Sequence, residues 1–130
     1  MSVLEHAGSI TLPKALLVMP LVMHDATVRY LGNGRVVRRE AAALVAQRPD
    51  LFANFSARFD DSLVVTVNAI QLLVEAQLVR FDDGLTLLQS LDVDAEFGKR
   101  AQKIVKAASH IASLLAGPVD ELYLNFRVQL

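Results

Sequence analysis

Chemistry in this chain would have to come from carboxylates and histidines. Asp60-Asp61 and Asp82-Asp83 are adjacent carboxylate pairs, a pattern that acid–base or metal chemistry can use. Their settings point elsewhere. The first pair stands at an expected helix start and the second in an expected hairpin turn, where acidic side chains bond the local backbone. His6, His24 and His110 lie far apart in sequence, and none has a second metal ligand at helical spacing. His24, directly after an apolar run, is the histidine expected to be partly buried. The chain has no cysteine, which removes thiolate metal sites, disulfides and cysteine nucleophiles together. Gly32-Asn33-Gly34 is too short to cradle a phosphate, and no Gly-rich loop runs into Lys-Ser or Lys-Thr. No catalytic residue, metal ligand or cofactor is expected.

Cations form two groups. Arg35, Arg38 and Arg39 cluster where a second helix is expected to start, and Lys99, Lys103, Lys106 and His110 share one edge of a later helix, with Arg100 nearby. The plain account is a solvated face opposite an apolar stripe. The functional account is contact with a nucleic-acid backbone or an acidic patch on a partner. Backbone contact needs only suitably spaced cations and carries no sequence information.

With 130 residues the chain has the size of one domain, and residues 1–130 are expected to fold around a single core. Hydrophobic residues make up 53% and charged residues 21%, which excludes a disordered chain and favours an interface-rich one. A formal net charge of −1 gives no general attraction to nucleic acid or anionic lipid. The most apolar run, residues 15–23, is too short to span a bilayer and contains Pro20. The residues before it include Glu5 and only one cation, Lys14, and no small-residue cleavage pattern follows. A soluble cytoplasmic protein without membrane contact is expected.

The elements that would carry any surface are organised around residues 61–89. Asp61 or Ser62 can cap a helix that runs without Gly or Pro to Leu78. Leu78-Val79-Arg80-Phe81 and Leu85-Thr86-Leu87-Leu88 then flank Asp82-Asp83-Gly84, where Asp-Gly suits the positive φ angles of a tight hairpin turn. At about 100° per residue, Leu63, Val67, Ile70, Val74 and Leu78 make one apolar stripe of the helix. Val65, Ala69, Leu72 and Ala76 make a second, nearly opposite, with Asn68, Gln71 and Glu75 on one edge between them and Ser62, Thr66 and Gln77 on the other. A helix apolar on two sides needs two neighbours, its own core and something else. It carries no Lys or Arg between Asp61 and Gln77, whereas groove reading needs cations near the amides that would touch bases.

Along the chain, residues 1–9 show no clear pattern and read as a tail or edge extension, and Ile10-Thr11-Leu12 reads as a short strand. Pro13 opens a helix that Pro20 should kink or end. Residues 25–34 read as a strand fragment and turn, residues 35–47 as a helix, and residues 51–59 as a short helix with Leu51, Phe52, Phe55 and Phe59 on one face. Three helices followed by a hairpin is the order a winged helix requires. After a polar connector, residues 95–115 form a long amphipathic helix with Asp92, Asp94 and Glu96 at its start, stopped by Gly117-Pro118. Residues 121–130 alternate apolar and polar, the pattern of a half-buried strand whose open edge can pair with another chain.

Four stretches carry a family likeness: Leu17-Val18-Met19-Pro20-Leu21-Val22-Met23-His24, Arg48-Pro49-Asp50-Leu51, the long helix entering Leu78-Val79-Arg80-Phe81-Asp82-Asp83-Gly84, and the basic amphipathic helix over residues 98–115. From about Leu16 onward the chain resembles the middle component of ABC-three-component conflict systems, the group that includes the small subunit of Lamassu-type anti-phage systems. The resemblance implies a non-enzymatic subunit beside an SMC/Rad50-like ATPase and an effector, often a nuclease.

The expectation is an α+β, winged-helix-like domain of helices plus a β-hairpin wing over residues 12–89, with a C-terminal amphipathic helix and terminal strand over residues 92–130. It is expected to act as an adaptor between the ATPase and effector subunits. Partner contacts are assigned to Val65, Ala69, Leu72 and Ala76, and to Tyr123, Asn125 and Arg127 on the last strand. Lys99, Arg100, Lys103 and Lys106 are the candidates for non-specific nucleic-acid contact within the complex, and self-association is a further expectation. The rival from another class is a winged-helix DNA-binding transcription regulator, which should place cations on its recognition helix or wing, where only Arg80 qualifies. A small enzyme would need clustered polar groups that the sequence lacks.

Overall fold

A computed structural model describes residues 1–33, 40–90 and 98–129. The elements run α1 (Ser2–Ala7), β1 (Ser9–Thr11), α2 (Leu12–Val22), α3 (Asp25–Leu31), α4 (Ala41–Gln47), a 3-10 turn (Pro49–Phe52), α5 (Phe55–Glu75), β2 (Val79–Phe81), β3 (Gly84–Leu87), α6 (Gly98–Leu114) and α7 (Val119–Asn125). The fold is α+β, mostly helical, with a small antiparallel sheet of order β1-β3-β2. The arginines Arg35, Arg38 and Arg39, and the acids Asp92, Asp94 and Glu96, lie outside the described residues.

The hairpin forms where the sequence places it, with Val79 opposite Leu87 and Phe81 opposite Leu85. Strand β1 then joins the free side of β3, Ile10 facing Leu85 and Thr11 facing Gly84. Gly84 is required for a reason other than turn geometry. Its φ is not positive; instead, a Cβ there would sit 2.6 Å from the Ile10 carbonyl oxygen. The missing side chain lets β1 and β3 approach. Leu4, Ala15, Val79 and Leu85 fill a small core beneath this sheet.

The main core gathers Leu17 and Leu21 of α2, Leu31, Leu44, Leu51, Phe55 and Phe59, Ile111 and Leu114 of α6, and Leu122 and Phe126. The Leu17–Leu21 spacing of four residues puts both on one side of α2, against α5. Residues 2–7 are not a tail. They form α1, which buries Val3 and Leu4 and packs on α6.

Four expectations fail in instructive ways. Residues 25–31 are helix, not strand: Thr27, Val28 and Leu31 are buried at helical spacing, with Asp25 in the first turn and Arg29 in the last, as the helix dipole favours. The central helix starts at Phe55, six residues before Asp61. The break falls at Asn54, whose φ of 57° suits an asparagine. Phe55, Phe59, Ser62 and Thr66 make one buried stripe that carries the helix straight through Asp60-Asp61.

The terminal strand is also overturned. Residues 119–125 form α7, with Pro118 before it and Asp120 and Glu121 in its first turn. Leu122 and Phe126, four apart, are both buried, while Leu124 is 77% exposed; a strand would have buried all three. The Phe126 ring stacks on Phe52 at 4.9 Å between centroids and tilts against Phe55 at 5.0 Å. Three aromatic rings in contact outweigh the alternating pattern. An open terminal edge for strand pairing is therefore absent among the described residues.

The last correction concerns α5 itself. Its core-facing strip is neither apolar stripe but the side bearing Ser62 and Thr66. The Ser62 Oγ donates to the Phe59 carbonyl and the Thr66 Oγ1 to the Ser62 carbonyl, each at 2.9 Å. Both hydroxyls are satisfied within the helix and present carbon to the core. The two apolar stripes become the shoulders of that strip.

Candidate interaction surfaces

Helix α5 begins with its guanidinium clamp. Arg58 Nη1 donates to the Pro20 carbonyl at 3.0 Å and Nη2 to the Leu51 carbonyl at 2.6 Å, with its guanidinium over the Phe55 ring at 5.2 Å. Burial lowers its pKa, but an arginine starts so far above neutral pH that it stays charged. This fixes the first turns of α5 against α2, and further along the helix each shoulder is partly packed and partly open.

On the second stripe, Val65 is 39% and Leu72 66% exposed. Ala76 is also exposed, and Ala69 is half-buried beside Thr66 and Ile70 at a cavity of about 70 Å³ that reaches Val18 and Met19. On the first stripe Val67 and Val74 are exposed, while Leu63, Ile70 and Leu78 dip inward. Val64, 71% exposed, joins Asn68, Gln71 and Glu75 on the outermost ridge. One helix thus shows solvent five large aliphatic side chains: Val65 and Leu72 on one shoulder, Val67 and Val74 on the other, and Val64 on the polar ridge of Asn68, Gln71 and Glu75 between them. Single exposed aliphatics need no explanation, but five on the outer half of one helix make it a candidate interaction surface.

The three residues assigned to the final segment end up in different roles. Tyr123 is half-buried; its hydroxyl donates to the Pro13 carbonyl and its ring meets Phe59 edge-on at 5.7 Å. Burial raises its pKa. Asn125 donates to the Glu121 carbonyl one turn back at 2.8 Å. Arg127 is exposed, with a φ of 58° just past the end of α7.

The cationic candidates come together with a residue that sequence reasoning missed. Lys99, Arg100 and Lys103 of α6 and Arg29 of α3 line a groove of about 270 Å³ whose floor is Val22, Val28 and Ile104. Arg100 is held there, donating to the Met23 carbonyl at 3.2 Å and lying 3.9 Å from the Asp25 carboxylate. Lys106 continues the row beyond it, beside Gly32 at the end of α3. The signal for Arg29 was the four-residue step from Asp25, hidden by reading these residues as a strand.

Other polar groups do structural work. His24 Nδ1 lies 2.7 Å from the buried Thr27 Oγ1 at the start of α3. Burial first, then the Arg58 charge, pushes the imidazole below its ordinary pKa, with Asp25 and Asp50 pulling the other way. Arg48 grips Asp50 with two hydrogen bonds, of 3.0 and 2.9 Å, and covers the Tyr30 ring at 4.6 Å. That grip holds the Asp50 carboxyl below its usual range. Asp82 accepts from the Asp83 backbone N–H and pairs with Arg80 at 3.3 Å, the local role expected of a turn carboxylate. Among the described residues no three His, Asp or Glu side chains converge as a metal site would need, and no helix is long and apolar enough to cross a membrane.

The family model for the ABC-three component (ABC-3C) system Middle Component 3 matches residues 5–130. No curated protein and no solved structure matches the chain.

Proposed function

The chain belongs to the Middle Component 3 family of ABC-three-component systems, and from that premise we propose that it is a cytoplasmic, non-catalytic adaptor joining an SMC-type ATPase to an effector in an anti-phage defence complex. A component of a multi-component system has protein partners. The observation that carries the adaptor role is the outer half of α5, where Val64, Val65, Val67, Leu72 and Val74 are all exposed on both sides of the core-facing strip. These aliphatics, interleaved with the polar Asn68, Gln71 and Glu75, give α5 the mixed apolar and polar surface of a protein interface.

The architecture is winged-helix-like in this reading: α5 leads into the β2–β3 wing, and β1 closes the sheet on β3. Its recognition-helix position is occupied by aliphatics and lacks any Lys or Arg between Asp61 and Gln77. That favours a protein partner over base reading by this helix.

Co-expression of the tagged chain with the products of its neighbouring genes tests the role. The adaptor elutes with the ATPase and effector in one complex. A chain that remains monomeric beside both rules it out.

A further inference from the structure

We propose that the groove between α3 and α6 binds the phosphodiester backbone of duplex nucleic acid without reading its sequence. Two helices distant in the chain bring Arg29, Lys99, Arg100 and Lys103 around one groove whose lining contains a single carboxylate, Asp25. Asp25 is already engaged with Arg100. Among the described residues no carboxylate pairs with Arg29, Lys99, Lys103 or Lys106, and all four are exposed. Like charges gathered this way repel one another, and a polyanion relieves the repulsion.

Spacing selects the kind of polyanion. Lys99, Lys103 and Lys106 lie on one edge of α6 and span about 10 Å of its axis. A duplex presents phosphates on both strands, about one every 1.7 Å of its axis, so a row this long can meet more than one phosphate. Arg29 stands across the groove from them. No aromatic side chain lines the groove, so it lacks the stacking platform on which single strands are held. With backbone contacts alone, the site carries no sequence information. Binding here needs no residue of the α5 band, so it stands or falls separately from the adaptor role.

The test is fluorescence anisotropy of a labelled, mixed-sequence DNA duplex titrated with the full chain at several salt concentrations. Binding weakens with salt with a log–log slope of about −3 to −4, as four released counterions require. Lys99→Gln combined with Lys103→Gln makes that slope shallower by about two and weakens binding about tenfold or more at low salt. Lys14→Gln, outside the groove, changes neither. Circular dichroism identical to the parent chain confirms that these substitutions leave the fold intact, and Arg29→Glu repeats the loss from the opposite wall. Four results would overturn the proposal: no salt-dependent binding by the parent chain, an unchanged slope in the double variant, tighter binding to the single strand, or equal competition by polyglutamate. The last would assign the groove to an acidic protein partner.

Discussion

The Arg58 guanidinium reaches across from α5 to donate to the Pro20 carbonyl at 3.0 Å. Pro20 lies in the last turn of α2, where carbonyls have no partner further along the helix. The same fork closes on the Leu51 carbonyl at the end of the 3-10 turn. One side chain therefore ties α2, the 3-10 turn and α5 together at the point where α5 begins. It also sets the direction in which α5 leaves the core, and so the exposure of its far half.

Replacing this fork should be costly. Arg58→Met keeps the aliphatic stem but leaves both carbonyls without their donor, and the expected loss is about 1.5–3 kcal/mol, the range for hydrogen bonds to a charged group. Arg58→Lys supplies the charge but not two divergent donors, so it recovers only part of the loss. Urea unfolding of the two variants and the parent chain measures it. Equal midpoints for all three would show that the clamp contributes nothing.

At the sheet, Gly84 is expected to resist any side chain. A Cβ at 2.6 Å from the Ile10 carbonyl must push against backbone, which cannot swing aside as a flexible side chain would. Gly84→Ala should therefore separate β1 from β3 and cost about 1–3 kcal/mol, the usual range for overpacking. Gly117 is the control, because nothing lies within 4 Å of a Cβ there and its φ is not positive. Thermal unfolding should show a lower midpoint for Gly84→Ala and none for Gly117→Ala; the reverse order contradicts the packing account.

The sequence was readable where one local pattern had one meaning. Val79 to Leu87 carried apolar runs around an acidic turn, and the hairpin formed there. The helix through Leu63 and Val74 lacked any breaker, and it formed as well. Reading failed where two periodicities fitted the same letters. Leu122, Leu124 and Phe126 satisfy a strand by alternation, but Leu122 and Phe126 also satisfy a helix, and only the distant Phe52 and Phe55 rings decide between them. Ser62 and Thr66 were misplaced for a related reason. Hydroxyl groups count as polar in any pattern, and their bonds to their own helix backbone cannot be read from types and spacing. The lysine row on α6 was legible from its spacing, whereas its partner Arg29 required α3 to be helical.

The depressed pKa of His24 sets a pH window. Its ordinary value is 6.5 and the folded value lies lower, so below 6.5 the unfolded chain takes up a proton that the folded chain resists. The unfolded state then binds more protons, and stability falls as pH drops through 6.5 until the folded value is passed. Above 6.5 the contribution is fully present. Asp50, also depressed, acts only near and below its ordinary 3.8, outside this window. Urea midpoints taken on either side of 6.5 should decline toward acid in the parent chain and decline less in His24→Gln. Identical pH dependence in the two would remove His24 as the source.

The α5 band makes the sharpest separation between folding and assembly. Leu72 is 66% and Val65 39% exposed, so neither contributes much to the core. Leu72→Asp with Val65→Asp should shift unfolding stability by no more than about 0.5 kcal/mol per site, as surface substitutions do. The uncovered band should make the parent chain self-associate when it is expressed alone, and the double variant should be the better-behaved monomer. The same variant should fail to enter the complex with the ATPase and effector, because two carboxylates would be buried against an apolar partner surface. Size-exclusion chromatography with light scattering, alone and after co-expression, reads both effects. Full incorporation of the double variant into the complex would move the interface away from this face of α5, while lost stability in the isolated variant would show that the two residues serve the fold.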